Sequence, residues 1–259
     1  MNRLITLLML LIASMSAAAA PPPPADIDAR AGFDQHVGAA LPMSARIVDQ
    51  DGEARTLAGI AHGKPLVLAF GYYRCPNLCD LTLHGIGRAV STMTLDAASD
   101  FHVVFLSVDP DETAAAAREA RTMLAGMRPG ARAATWTFGT ADAATIASLT
   151  RVAGFRYFLD ERTKEYVHPA GLIVVTPEGR IAQYFFGVGY DAGALRLALV
   201  DASNGRLGGV IDRLVLLCCG YDPTTGRYSV LVSRLMMVLG SLFVLGMLVA
   251  IGRLRRRTA

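Results

Sequence analysis

The hydrophobic and polar positions of this chain fall into three regimes. At the start, a basic Arg3 precedes an apolar run from Leu4 to about Ile12, and alanines lead up to Ala20. Near the end, residues 235–252 are apolar without a charge, and Arg253, Arg255, Arg256 and Arg257 follow. Between the ends the pattern changes from block to block. KPLVLAFGY at 64–72 is a short continuous apolar run, as expected of a strand buried on both faces. FHVVFLSVD at 101–109 and GLIVVT at 171–176 read the same way. Residues 81–93 mix apolar and polar positions at helical spacing, and the alanine-rich stretch 112–127 predicts a second helix, stopped by Pro129-Gly130. Residues 135–140 are short and strand-like, and Asp142 is placed to cap a helix over 143–153. PEG at 177–179 marks a turn, and 180–187 completes a hairpin with the third strong strand. Residues 44–48 with the turn DGE at 51–53 suggest an opening hairpin.

Strand, helix, strand, helix and then a hairpin is an α/β layered order. The first strong strand runs straight into GYYRCPNLCD at 71–80, where a helix begins. In such sheets the reactive site lies beyond the carboxyl ends of the strands. The layout resembles a thioredoxin-like fold, an α/β protein with a mixed sheet flanked by helices. The expected domain spans 33–200, followed by a juxtamembrane linker with an amphipathic segment over 201–234.

The ends place that domain. Residues 1–20 have the basic, apolar and small-residue parts of a secretory signal peptide, with A-x-A options for cleavage. Residues 21–32 open with four prolines and read as an extended spacer. Eighteen residues at 235–252 would span roughly 27 Å as a helix, enough to cross a bilayer core. The basic tail at 253–259 then stays cytoplasmic by the positive-inside rule. The expectation is a bacterial-type inner-membrane protein with a C-terminal transmembrane helix and its soluble domain on the periplasmic side. The formal net charge of +3 comes from the ends: without Arg3 and the four tail arginines the balance is slightly negative. There is no basic face, which argues against a nucleic-acid partner. About 200 residues remain between spacer and membrane run, enough for one well-buried domain and a linker.

Four cysteines exist: Cys75, Cys79, Cys218 and Cys219. A bridge between Cys75 and Cys79 closes a tiny loop and constrains little, so stapling explains this pair poorly. If the segment from Pro76 is helical, the two sulfurs stand one turn apart on one face and can clamp a soft ion or work as a dithiol. The helix N-terminus and Arg74 favour the thiolate that both chemistries need, and Pro76 suits a first helical turn. Two sulfurs suit Cu(I), and an imidazole would extend the site to Cu(II). Among the five histidines, His36, His62, His84 and His102 read as surface or packing residues. His84 would point about 140° away from Cys79 on a helix. His168 ends the polar loop DERTKEYVHPAG before the third strand, a loop expected to face the end of the first strand. Adjacent Cys218 and Cys219 bridge only with strain. They read as apolar fill, as an intermolecular disulfide, or as a second copper site.

In combination these motifs resemble the SCO/SenC family, membrane-tethered thioredoxin-like proteins that help build the copper centre of cytochrome c oxidase. The resemblance runs from about Phe33 to Gly187. GYYRCPNLCD resembles the family's C-P-x-x-C copper motif at Cys75, Pro76 and Cys79, and SVDPDET at 107–113 its S-V-D-P stretch. YVHPAGLIVVTPEGRI at 166–181 resembles the histidine loop and its hairpin, with His168 at the ligand position. The resemblance implies that Cys75, Cys79 and His168 bind copper, and that Asp109 shapes the site or its docking surface. Read without the family, Asp109 is a strand-end residue capping the next helix. The resemblance also implies two partners, the copper-site subunit of cytochrome c oxidase and a periplasmic copper donor. The chain departs from the family at Asp80, where proline is common, and in its C-terminal rather than N-terminal anchor.

The leading expectation is therefore a copper metallochaperone, which is not an enzyme in the strict sense. The alternative is a thiol–disulfide oxidoreductase that reduces the cysteines of the oxidase copper site, using Cys75 and Cys79 as a redox disulfide. Its weakness is the spacing, because dithiol enzymes of this fold use C-x-x-C. A peroxidase of the peroxiredoxin type needs a T-x-x-C motif, and position 72 is Tyr.

Overall fold

The computed structural model describes residues 29–74, 78–127, 130, 132–208, 221–222 and 227–228, and six positions between 240 and 253; of residues 78–80 it describes the backbone. The expected leader at 1–20, and most of the spacer, of the apolar run at 235–252 and of the basic tail, lie outside the described residues. Among those residues no helix is long and apolar enough to cross a membrane.

The expected opening hairpin is present as β2 (Arg46–Val48) and β3 (Ala54–Thr56), antiparallel with Arg46 opposite Thr56. It follows β1 (Gly32–Phe33). Gly52 sits at φ +87, a left-handed conformation that glycine takes without strain. The short α1 (Leu57–Ala61) is capped by the Thr56 hydroxyl, which accepts from the Gly59 N–H at 3.0 Å. The strong strands follow as β4 (Leu66–Gly71) and β5 (His102–Ser107), separated by α2 (Leu78–Thr92), which begins at Leu78 rather than Leu81. Next come α3 (Ala114–Met127) and β6 (Thr137–Gly139). Helix α4 (Ala143–Val152) has the predicted cap, with an Asp142 carboxylate oxygen accepting from the Thr145 N–H at 2.8 Å.

Two elements correct the sequence reading. The polar loop before the third strong strand contains a hairpin, β8 (Phe158–Asp160) and β9 (Glu165–Val167), behind the short β7 (Phe155–Arg156) that pairs with β1. Its turn is closed by Asp160, which accepts from the Lys164 and Arg162 N–H groups at 2.7 and 2.9 Å. Its strands are three residues long and only partly buried, so no apolar run announces them. After β10 (Gly171–Val175) and β11 (Ile181–Phe186), helix α5 (Ala192–Ser203) crosses the expected boundary at 200. It buries Leu195, Ala198, Leu199 and Ala202, a helical spacing that the sequence does carry.

The central sheet has the order β11-β10-β4-β5-β6. Strands β4, β5 and β6 are parallel; β10 is antiparallel to β4 and to β11. Alternate residues of β4 feed two cores. Val67 and Ala69 pack with Ile86 and Val90 of α2, Leu124 of α3 and Leu199 of α5. Leu66, Leu68 and Phe70 pack with Ile60 of α1, Leu149 of α4 and Phe155. This is the α/β mixed sheet flanked by helices expected of a thioredoxin-like protein, and it explains why the strong strands read as unbroken apolar runs.

Candidate metal centre

Three chain segments converge where β4 and β5 end. Gly71 is paired with Ser107 at the last register position of the two parallel strands, and the Val108 N–H still donates to Gly71 O at 2.7 Å. Beyond that point the Tyr73 and Arg74 N–H groups have no neighbouring strand to bond. They are taken instead by one side chain. Glu112 Oε2 accepts from Tyr73 N and Oε1 from Arg74 N, both at 2.8 Å, and the Ser107 hydroxyl donates to Oε2 at 2.6 Å. The Glu112 side chain has no exposed surface. Glu112 lies before α3, which starts at Ala114, and the Ala117 N–H donates to Thr113 O at 3.1 Å.

Tyr73 is held on its other side as well. Its hydroxyl lies 2.8 Å from Gly139 O and 3.1 Å from Phe105 O, and its single proton serves the nearer carbonyl. Burial, reinforced by the Glu112 charge, pushes this phenol well above its usual range.

Asp109 does not cap α3. One of its carboxylate oxygens accepts from the Asp111 N–H at 2.9 Å, and the other lies 3.3 Å from Arg74 Nη2. Arg74 Nε is also 3.7 Å from Glu112 Oε1. Arg74 thus has two carboxylates beside it, and 65 % of its side chain is exposed.

The third segment brings His168, directly after β9. Its ring stands edge-on to the buried Tyr72 ring at 5.9 Å and lies 5.9 Å from Phe155. Tyr166, two residues earlier, packs on Tyr72 at 5.6 Å. Its phenol is pushed up by burial and then by the Asp109 charge. His168 Nδ1 is 3.0 Å from Pro169 O. A carbonyl only accepts, so this bond requires the proton on Nδ1 and leaves the lone pair on Nε2, a common metal-binding atom.

Cys79 is the second residue of α2. Its side chain, together with Cys75, Pro76, Cys218 and Cys219, lies outside the described residues. Among the described residues no group of three His, Cys, Asp or Glu side chains could hold a metal ion. The other four histidines are elsewhere. His36 bonds Val152 O through Nδ1 at 3.1 Å, His62 caps α1 with its ring 6.2 Å from His102, and His84 is half-buried on α2. Sequence reasoning missed Glu112, Tyr72 and Tyr166. An acidic residue just before a helix reads as a helix-start residue, and nothing local shows that it turns inward.

The SCO1/SenC family matches residues 38–195. Among solved structures, the chain is similar to a protein of Aquifex aeolicus VF5 (23% identity, TM-score 0.58, covering 65% of this chain and 95% of that one). It is similar to ScoI of Arabidopsis thaliana with copper bound (21% identity, TM-score 0.51, 65% and 98% covered). It is also similar to a SCO1/SenC family lipoprotein of Bacillus anthracis (14% identity, TM-score 0.50, 67% and 95% covered). These likenesses concern the fold. A search of curated proteins finds no match. With more than half of its length matched by one family, the chain belongs to SCO1/SenC.

Proposed function

We propose that this protein is a membrane-tethered copper metallochaperone that delivers copper to the copper-site subunit of cytochrome c oxidase during assembly. Cys75 and Cys79 supply thiolates and His168 an imidazole. This donor set suits Cu(I) with the sulfurs alone and Cu(II) with the added nitrogen. Copper is cargo. A site of two or three ligands leaves a position open for an acceptor thiolate, so transfer proceeds by ligand exchange. The observation that carries this reading is the place of His168. Its ring packs on Tyr72, at the carboxyl end of β4 and three residues before Cys75 in the chain. The relative from Arabidopsis thaliana with copper bound supports the choice of metal. The leader at 1–20 and the apolar run at 235–252 support an inner-membrane protein with a periplasmic domain and a cytoplasmic C-terminus.

The test uses the full-length chain in detergent, reduced and free of oxygen. Cu(I) is titrated against a competing chelator, and the Cu(II) absorption spectrum is recorded. Wild type should take up one tight equivalent. Cys75→Ala and Cys79→Ala should each abolish it, and His168→Ala should weaken it and alter the Cu(II)–thiolate absorption. A reduced wild type that cannot compete for Cu(I) ends the chaperone reading. Thiol exchange between Cys75 and Cys79 then becomes the activity to measure.

A further inference from the structure

The buried carboxylate of Glu112 has no place in the metal-ligand set, yet it holds the chain where that chain leaves the sheet for the cysteines. We propose that Glu112 is a positioning residue: it fixes the backbone at Tyr73 and Arg74 and thereby sets the path into the Cys75–Cys79 loop. This inference rests on the metallochaperone reading for its copper readout, but its geometry does not.

A parallel ladder stops at Gly71 and Ser107, and the next free N–H groups need partners. Backbone or a neutral side chain could meet that need cheaply. Here a carboxylate with no exposed surface does so, taking two N–H bonds at 2.8 Å and the Ser107 O–H at 2.6 Å. Burying a charge is expensive unless its lone pairs are filled by good donors. The nearest cation gives little compensation, because Arg74 Nε is 3.7 Å away on a side chain that is 65% exposed. What the arrangement provides is direction. Two consecutive N–H groups bound to the two oxygens of one rigid carboxylate allow one orientation of the peptide between them. The anchor is itself tied to the end of β5 through Ser107. Residue 74 is the last before Cys75, so any rotation there swings the first sulfur relative to His168.

Full-length protein is compared as wild type, Glu112→Gln, Ser107→Ala and Asp142→Ala. In Glu112→Gln one oxygen is replaced by an amide that faces an N–H and cannot accept from it. Asp142→Ala removes the α4 cap away from the site and controls for stability loss. Three readouts are taken where the emission of Trp136 shows the fold intact: Cu(I) affinity by chelator competition, the Cu(II)–thiolate spectrum, and the thiol–disulfide equilibrium of Cys75 and Cys79 in a glutathione buffer. The last is read without copper, by alkylation of the peptide holding both cysteines. Glu112→Gln should lose about tenfold to a hundredfold in Cu(I) affinity, as outer-shell partners of metal ligands do. It should also shift the Cu(II) absorption and the disulfide equilibrium, while Asp142→Ala changes none of the three. Wild-type values in Glu112→Gln overturn the inference and leave the metallochaperone reading standing. If wild type binds no copper, that reading falls, and the disulfide equilibrium alone decides for or against Glu112. Should Glu112→Gln fail to fold, Ser107→Ala carries the same comparison, since it removes one donor and keeps the carboxylate.

Discussion

The helix that carries Cys79 is packed against the segment after β11 through a glycine, and filling that glycine is the sharpest test of the packing. A Cβ added at Gly85 of α2 would stand 2.0 Å from Val188 O, 3.0 Å from Val188 C and 3.1 Å from Tyr190 Cε2. Ordinary C···O contacts lie at about 3.3–3.6 Å, so helix and segment must part by roughly 1.3 Å. The obstacle is a backbone carbonyl and cannot rotate aside. Overpacking costs about 1–3 kcal/mol, here about 2–3 because backbone must move, and alanine returns about 1 kcal/mol in helix propensity. Gly85→Ala should therefore lose about 1–2 kcal/mol. Gly126, in the last turn of α3, has nothing within 4 Å of an added Cβ. Gly126→Ala should gain about 0.5 kcal/mol. The assay is urea unfolding followed by the fluorescence of Trp136, the sole tryptophan, which is 1% exposed in the folded protein. Gly85→Ala as stable as wild type, or both variants shifted in the same direction, refutes the packing argument. If the loss appears, Cu(I) competition on the folded variant should also weaken, because Cys79 rides on the displaced helix.

Tyr73→Phe removes the hydroxyl that bonds Gly139 O but keeps the N–H bond to Glu112. It should cost about 1–1.5 kcal/mol in urea unfolding and leave Cu(I) affinity unchanged. His102 has a pKa below its ordinary value of 6.5, from burial first and then from the Lys64, His62 and Arg55 charges. Below 6.5 the unfolded chain binds more protons at this site than the folded one, so stability falls with pH from 6.5 down to the lowered folded value. His102→Gln should flatten that part of a stability–pH profile, and an unchanged slope assigns the acid sensitivity to other groups. Arg74→Gln removes an exposed ion pair with Asp109, and should change stability by less than about 0.5 kcal/mol in a salt series.

What could be read from the sequence follows from burial. Strands β4, β5 and β10 are buried on both faces, so residues 66–71, 102–107 and 171–175 appear as unbroken apolar runs. Hairpin β8–β9 is half exposed on strands of three residues, so its pattern cannot be told from a polar loop. Helix α5 could have been found, since Leu195, Ala198, Leu199 and Ala202 carry its period. Cysteine and histidine stand out in a sequence because their chemistry is unusual wherever they stand. Glu112 does not stand out, and Asp109 does so only through the family resemblance. An acidic residue between a strand and a helix suits a cap, and only the approach of the β4–α2 turn gives Glu112 two N–H groups to hold and Asp109 a cation to face.

The direction of β10 decides whether such a site can exist. Strand β10 runs antiparallel to β4, with Val175 opposite Leu66 and Ile173 opposite Leu68. Its first residues therefore lie at the carboxyl end of β4, and whatever precedes β10 arrives beside the segment that leaves Gly71. A parallel β10 would start at the opposite edge. The six residues of β4 rise about 3.3 Å each, which would place His168 about 20 Å from the turn after Gly71. No side chain spans that gap. One strand reversal in an otherwise parallel sheet thus brings an imidazole from late in the chain against Tyr72, and the β10–β11 hairpin keeps it there by closing the sheet on that side.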